Sequence, residues 1–183
     1  MGILAVYYTV GIQNYIFSSN KPAENADGSK LAAHVFGKDG LLSAAIFNHT
    51  NKPCPDWREG GKLDPSLPAQ IICQEGGNVY VAYDNEPTFH AITKDFLIQV
   101  SLAAPGIGIA VAAIEMDFGS IYEPDFHKLN KRLALVKGGF NIPIFAGNQP
   151  ITKQSVRTGL PVSVYHNGEY IGKGTYSFKK EVD

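Results

Sequence analysis

With two cysteines in 183 residues, the chain cannot be a disulfide scaffold, and a reducing cytosol suits it. Cys54 falls in a proline-rich loop and Cys73 in a strand pattern. No Cys-x-x-Cys pair, nucleophile elbow or G-x-x-x-x-G-K-[ST] loop occurs, which removes the commonest redox, acyl-transfer and P-loop chemistries. His34, His49, His90, His127 and His166 are scattered without the spacing of a metal site, and read as surface or packing residues. No apolar run approaches the ~18 residues of a membrane span. The opening MGILAVYYTVGIQNYIF has no basic n-region or small-residue cleavage site, and Val6 stands where a myristoylation signal needs Ser or Thr. A net charge of −1 provides no polybasic surface for extended duplex nucleic acid, whereas a small nucleotide or a protein partner fits it. There is no internal repeat and no low-complexity stretch.

What is present alternates in period. Residues 3–10 (ILAVYYTV) are nearly all apolar, as in a strand buried on both faces. A helical pattern follows from Gly28 to Asn48, with Leu31, Val35, Leu42 and Ile46 on one face and a break expected at Gly37 and Gly40. The segment 48–68, with its prolines, a GG pair and Trp57, reads as a loop insertion. Strands at 69–74 and 79–83 flank EGGN, and Asn85 then caps a helix whose apolar stripe is Phe89, Ile92, Phe96, Val100 and Ala103. A buried strand at 107–116 precedes a third helix opened by Glu123 and Pro124, with Phe126, Leu129, Leu133 and Val136 on one face and GG at 138–139 as its stop. Shorter strands fill the remainder, including an Asn-Gly hairpin at 167–168.

This order predicts an α+β, ferredoxin-like βαββαβ sheet, antiparallel, with two helices on one face and C-terminal β-hairpin extras. It implies a single domain over 1–183, with its core at about 3–137 and a β-rich extension at 140–183. The 69–83 hairpin is expected at the centre, its turn facing the loop after the first strand. GIQNYIF (11–17) and EGGN (75–78) then meet at one sheet edge.

The stretch CQEGGNVYVAY (73–83) raises the functional question, because strand, diglycine turn, strand is also how palm-type nucleotide enzymes present metal carboxylates. Four blocks together carry a resemblance: IQNYIF (12–17), DGSK (27–30), GGN (76–78) and RTGLPV (157–162), with Lys137 and AAPGIGIAV between them. Over roughly 3–165 the chain resembles the nucleotidyl cyclase-like palm domain of the large polymerase-like subunit of type III CRISPR effector complexes, closest to the second-palm family. The resemblance implies a prokaryotic antiviral setting and ATP as the relevant nucleotide. It also implies a metal carboxylate at the end of the first strand, where this chain has Tyr7, Tyr8, Thr9 and Val10. Further carboxylates are implied after the diglycine, where it has Asn78 and Val79. Two-metal phosphoryl transfer needs anionic oxygen ligands, so these departures argue against catalysis and for a degenerate palm that binds a nucleotide or a protein partner.

Candidate contacts follow, each beside a plainer role. Gln13 and Asn14 are expected at the site edge to bond a base, and Tyr15 to stack on one, while Ile12, Ile16 and Phe17 pack under the sheet. Asp27 or Ser29 caps the first helix, or Ser29 and Lys30 hold phosphate at its start. Gly76, Gly77 and Asn78 form a hairpin turn or approach a ligand with bare backbone. Lys153, Arg157 and Thr158 are a solvated turn or a phosphate clamp. Asp27, Glu75 and Asp84 are the ligands that a cyclic-nucleotide synthase would need for Mg²⁺ in place of the missing pair, and a purely structural interaction module is the third reading.

Overall fold

The computed structural model of the chain describes residues 1–17, 22–53, 63–75, 77–104, 106–118, 123–139, 153, 162–166 and 169–172. Strand β1 (Gly2–Val10) leads into one helical turn, α1 (Ile12–Ile16), through Gly11. Helices α2 (Pro22–Phe36) and α3 (Leu41–Thr50) follow, then β2 (Ala69–Glu75), β3 (Asn78–Tyr83), α4 (Glu86–Ala103), β4 (Gly108–Met116) and α5 (Glu123–Gly138). The four strands form one sheet in the order β2-β3-β1-β4, with every pairing antiparallel. That order, with βαββαβ connectivity, is the ferredoxin-like arrangement. A separate antiparallel pair, β5 (Val162–His166) and β6 (Glu169–Gly172), flanks Asn167 and Gly168, which themselves lie outside the described residues.

Apolar β1 is internal, lying between β3 and β4 in register over most of its length. Its side chains alternate between two cores. Ile3, Ala5 and Tyr7 join Val35, Phe36, Leu42, Ile46, Phe89, Ile92, Phe96 and Val100 from α2, α3 and α4. Leu4 and Val6, with Tyr8 partly buried, join Leu129 and Leu133 from α5. The expected helices therefore cover one face, and α5 adds a layer on the other. Only half of the 69–83 hairpin is central. β3 is internal, but β2 is an edge strand, because β1 rather than β2 has partners on both sides. A β-bulge between Ile71 and Cys73 breaks the β2–β3 register, so Ile72 and Cys73 both join the α5 side.

The helical elements start and stop for legible reasons. Asn85 caps α4 by accepting the Thr88 N–H at 2.8 Å. The α2–α3 break falls at 37–40, where Gly40 lies so close to the backbone of His34 and Gly37 that a Cβ would overlap it. α2 starts six residues before the expected Gly28, since Pro22 occupies its first position, where a proline has no intrahelical bond to lose. Before β2, Asp64 accepts the Ser66 N–H at 2.8 Å, and bonds from the Ser66 side chain and N–H hold its carboxyl below the usual range. Trp57 and Cys54 lie outside the described residues. Among the described residues, no helix is long and apolar enough to cross a membrane.

Candidate functional site

The hairpin turn is stitched to the end of β1. Gly77 takes φ 85°, a left-handed conformation that glycine adopts without strain. Its carbonyl accepts two bonds from one residue, the Thr9 N–H at 3.0 Å and the Thr9 hydroxyl at 2.8 Å. The β1 exit and the diglycine turn thus meet at one sheet edge, as the βαββαβ order requires. Thr9 is itself buried, so this junction is part of the packed structure rather than a loop contact.

Beside the junction, on the α2–α3–α4 face, lies a cleft of about 310 Å³. Its wall is drawn from three separated segments: Ile12 and Ile16 of α1, Ser29, Ala32, Ala33 and Phe36 of α2, and Gln74 and Gly77 of the hairpin. Among the described residues the lining is apolar or small, with Ser29 and Gln74 as its side-chain hydrogen-bonding groups and no charged residue. Such a surface accepts a flat apolar body carrying a few polar edges.

The opposite face of the same junction differs. Tyr8 pairs with Asn78 across β1 and β3, which puts both side chains on the α5 side. The Lys137 ammonium stands 3.5 Å from the centre of the Tyr8 ring, a cation–π contact at the last turn of α5. Asn78 Oδ1 is buried without a hydrogen-bond partner among the described residues.

The sequence candidates are only partly brought together. Ser29 and Gly77 line the cleft; Gln13 and Asn14 are exposed on α1 next to it; Asn78 belongs to the other face. Tyr15 is a correction: it is buried against Leu31 and Ala104, while Phe17, expected beneath the sheet, is exposed. The single turn of α1 rotates these positions, so Tyr15 rather than Phe17 faces the core. DGSK is not a helix start but the second and third turns of α2, so Asp27 and Ser29 cap nothing and offer no free N–H groups to phosphate. Lys30 is exposed and lies 3.3 Å from Asp27, an i, i+3 surface pair of little energetic weight. Asp84 follows Tyr83, which pairs with Ile3, so it sits at the end of the sheet opposite the turn and cannot share a metal there with Asn78. Lys153 is exposed, and its carbonyl accepts the Val162 N–H at 2.8 Å at the start of β5. Gly76, Arg157 and Thr158 lie outside the described residues, as does the side chain of Glu75. Sequence reading missed Ala32, Ala33, Phe36 and Gln74 as cleft residues. The helical period singles out Leu31, Val35, Leu42 and Ile46 and is silent on these neighbours, and the small size of the alanines is what leaves the space.

Tyr8 and Asn78 occupy the two positions where the resemblance implies metal carboxylates. A phenol and a neutral amide, with an ammonium on the phenol ring, do not form the donor set of Mg²⁺, which is built on one or two carboxylates. Among the described residues, no three His, Cys, Asp or Glu side chains converge on a common point.

No family model matches the chain, and no curated protein matches it. Solved structures do share its fold. A chain of the Csm1-Csm4 cassette in complex with AMPPNP aligns at TM-score 0.52 and 12% identity, over 74% of this chain and 18% of that one. A chain of the same cassette in complex with cA4 aligns at TM-score 0.52 and 11% identity, over the same shares. The present chain therefore spans less than a fifth of the length of the chains it matches.

Proposed function

We propose that the chain is a degenerate palm that binds an adenine nucleotide in the cleft beside Gly77 and does not polymerise or cyclise it, within a type III CRISPR-like defence system. The observation that carries this reading is the convergence of α1, α2 and the hairpin turn on one cleft of about 310 Å³, at the low end of ligand-pocket sizes. The base and ribose suit its uncharged wall, with Ser29 and Gln74 as hydrogen-bonding groups. Gln13 and Asn14 at the rim and the Gly77 backbone are further contacts. The likeness of fold to cassettes solved with AMPPNP and cA4 supports the choice of ligand. The absence of carboxylates at Tyr8 and Asn78 supports the lack of catalysis, since in-line phosphoryl transfer depends on metal-held charge.

The test is calorimetric titration of AMPPNP into the parent and into Ala33→Phe, which fills the cleft from an exposed helical position. Binding by the parent and loss in the variant, with an unchanged far-UV spectrum, is the expected result. Equal binding by both removes the cleft from the reading. Conversion of labelled ATP to a cyclic product by the pure protein would replace it with the synthase reading.

A second reading, an interaction module, has one observation in its favour. Leu97, Ile98 and Leu102 on the outer side of α4 are exposed together. Loss of a protein partner on Leu102→Glu, with nucleotide binding intact, would establish that role.

A further inference from the structure

The cation of this site is built into the chain. Lys137 lies one residue before the end of α5, where the carbonyl end of the helix favours a positive charge. Its ammonium is held at 3.5 Å over the Tyr8 ring. Tyr8 is directly opposite Asn78, the residue that follows the diglycine turn. A fixed positive charge therefore stands on the sheet end whose two expected metal positions are a phenol and an amide. Asn78 Oδ1, buried without a donor among the described residues, shows the same chemistry from the other side. It is a single neutral acceptor in need of a hydrogen-bond donor, which an ammonium or a ligand hydroxyl supplies. A dication brought to this point would meet a like charge and, among the described side chains, no carboxylate pair; Glu75, opposite Asn78 across β2 and β3, is the one carboxylate whose strand position brings it to this sheet end.

We infer that Lys137 takes the electrostatic place of a divalent metal at this sheet end, so that a phosphate-bearing ligand is held there by the ammonium and binds without Mg²⁺. The inference rests on the nucleotide reading above and adds what neutralises the phosphates. The cleft takes the nucleoside on one face of the sheet, and the ligand passes over the Gly77 turn to bring its phosphates to Lys137 on the other face. Cation–π contact with Tyr8 fixes the position of the ammonium while leaving its N–H groups free to turn toward an anion. A charge-assisted hydrogen bond of this kind contributes roughly ten- to a hundredfold in affinity.

Calorimetry with AMPPNP in EDTA and in saturating Mg²⁺ tests this. The parent is expected to bind with nearly the same Kd in both, and Lys137→Met to bind about tenfold or more weakly in both. Binding by the parent only with Mg²⁺, or undiminished binding by Lys137→Met, overturns the inference while leaving the nucleotide reading intact. No binding of AMPPNP under either condition overturns both. A metal readout that needs no nucleotide runs alongside, using the electron paramagnetic resonance of Mn²⁺. The parent should leave Mn²⁺ free, and the triple variant Tyr8→Asp, Asn78→Asp, Lys137→Ala should bind it. Mn²⁺ binding by the parent that is lost in Asn78→Ala would show that the site takes a metal after all.

Discussion

Tyr7 and Tyr8 are neighbours in β1 and face opposite sides of one sheet. Tyr7 is fully buried, its hydroxyl 2.7 Å from that of Tyr83 and 2.6 Å from Thr93 Oγ1, with its ring edge-on to Phe96. Tyr8 is half-buried under an exposed lysine. The first side chain exchanges solvent for a closed hydroxyl network, and the second keeps access to whatever approaches the sheet end. The difference teaches where this chain is constrained by folding and where it is open to a ligand. The α2–α3–α4 side is aromatic around Tyr7, whereas the α5 side carries polar and charged groups near the turn.

The comparison is broken most severely from the closed side. Phe96→Ala removes a buried ring that contacts both Tyr7 and Phe36, and should cost about 3–5 kcal/mol in urea unfolding. Alkali should act next. Burial pushes the Tyr7 hydroxyl up to about 12, against the pull of its bonds to Thr93 and Tyr83. The unfolded chain then loses this proton near pH 10 while the folded chain keeps it. The corresponding stability is fully present below pH 10 and disappears as pH rises toward 12, by an amount on the order of 2–3 kcal/mol. Tyr7→Phe should flatten that part of the stability–pH curve relative to the parent, and an unchanged slope would mean that burial of Tyr7 does not hold the proton. Thr93→Val, which deletes one of the two Tyr7 partners, should lower the melting temperature through a loss of about 1 kcal/mol. On the open side, Tyr8→Leu should change stability by about 0.5–1 kcal/mol or less, since one exposed cation–π contact is lost. A large effect there would mean that Tyr8 belongs to the core, and the contrast between the two tyrosines would fail.

The sheet was legible because its signals are local and redundant. An unbroken apolar β1, a glycine turn between β-branched runs and an Asn-capped amphipathic α4 all point to one topology. The errors fall where a few residues decide rotation or extent. NKPAENADG is a polar stretch by composition, yet from Pro22 onward it forms the first two turns of α2, with Gly28 buried within the helix. That placement pulls DGSK away from the helix start and turns a supposed phosphate site into a cleft wall. Tyr15 and Phe17 exchange their expected environments because five helical residues at α1 carry too little periodic signal to fix which side faces inward. Tyr8 and Lys137 lie at opposite ends of the β1–α5 run, and no spacing rule connects a β1 ring to the last turn of α5.

The bulge in β2 has a consequence for how the molecule meets its own copies. An edge strand that kinks between Ile71 and Cys73 cannot present a straight ladder of amides along its length, and strand-by-strand growth is discouraged on that rim. Among the described residues the other rim has no such bulge. β4 pairs with β1 through nine residues without a shift, and Glu115 is the one charge in its Gly108–Met116 run of small and β-branched residues. Sheet-to-sheet accretion, when heat or concentration drives it, therefore starts from β4, and a lysine at Ala113 would be the simplest way to close that rim.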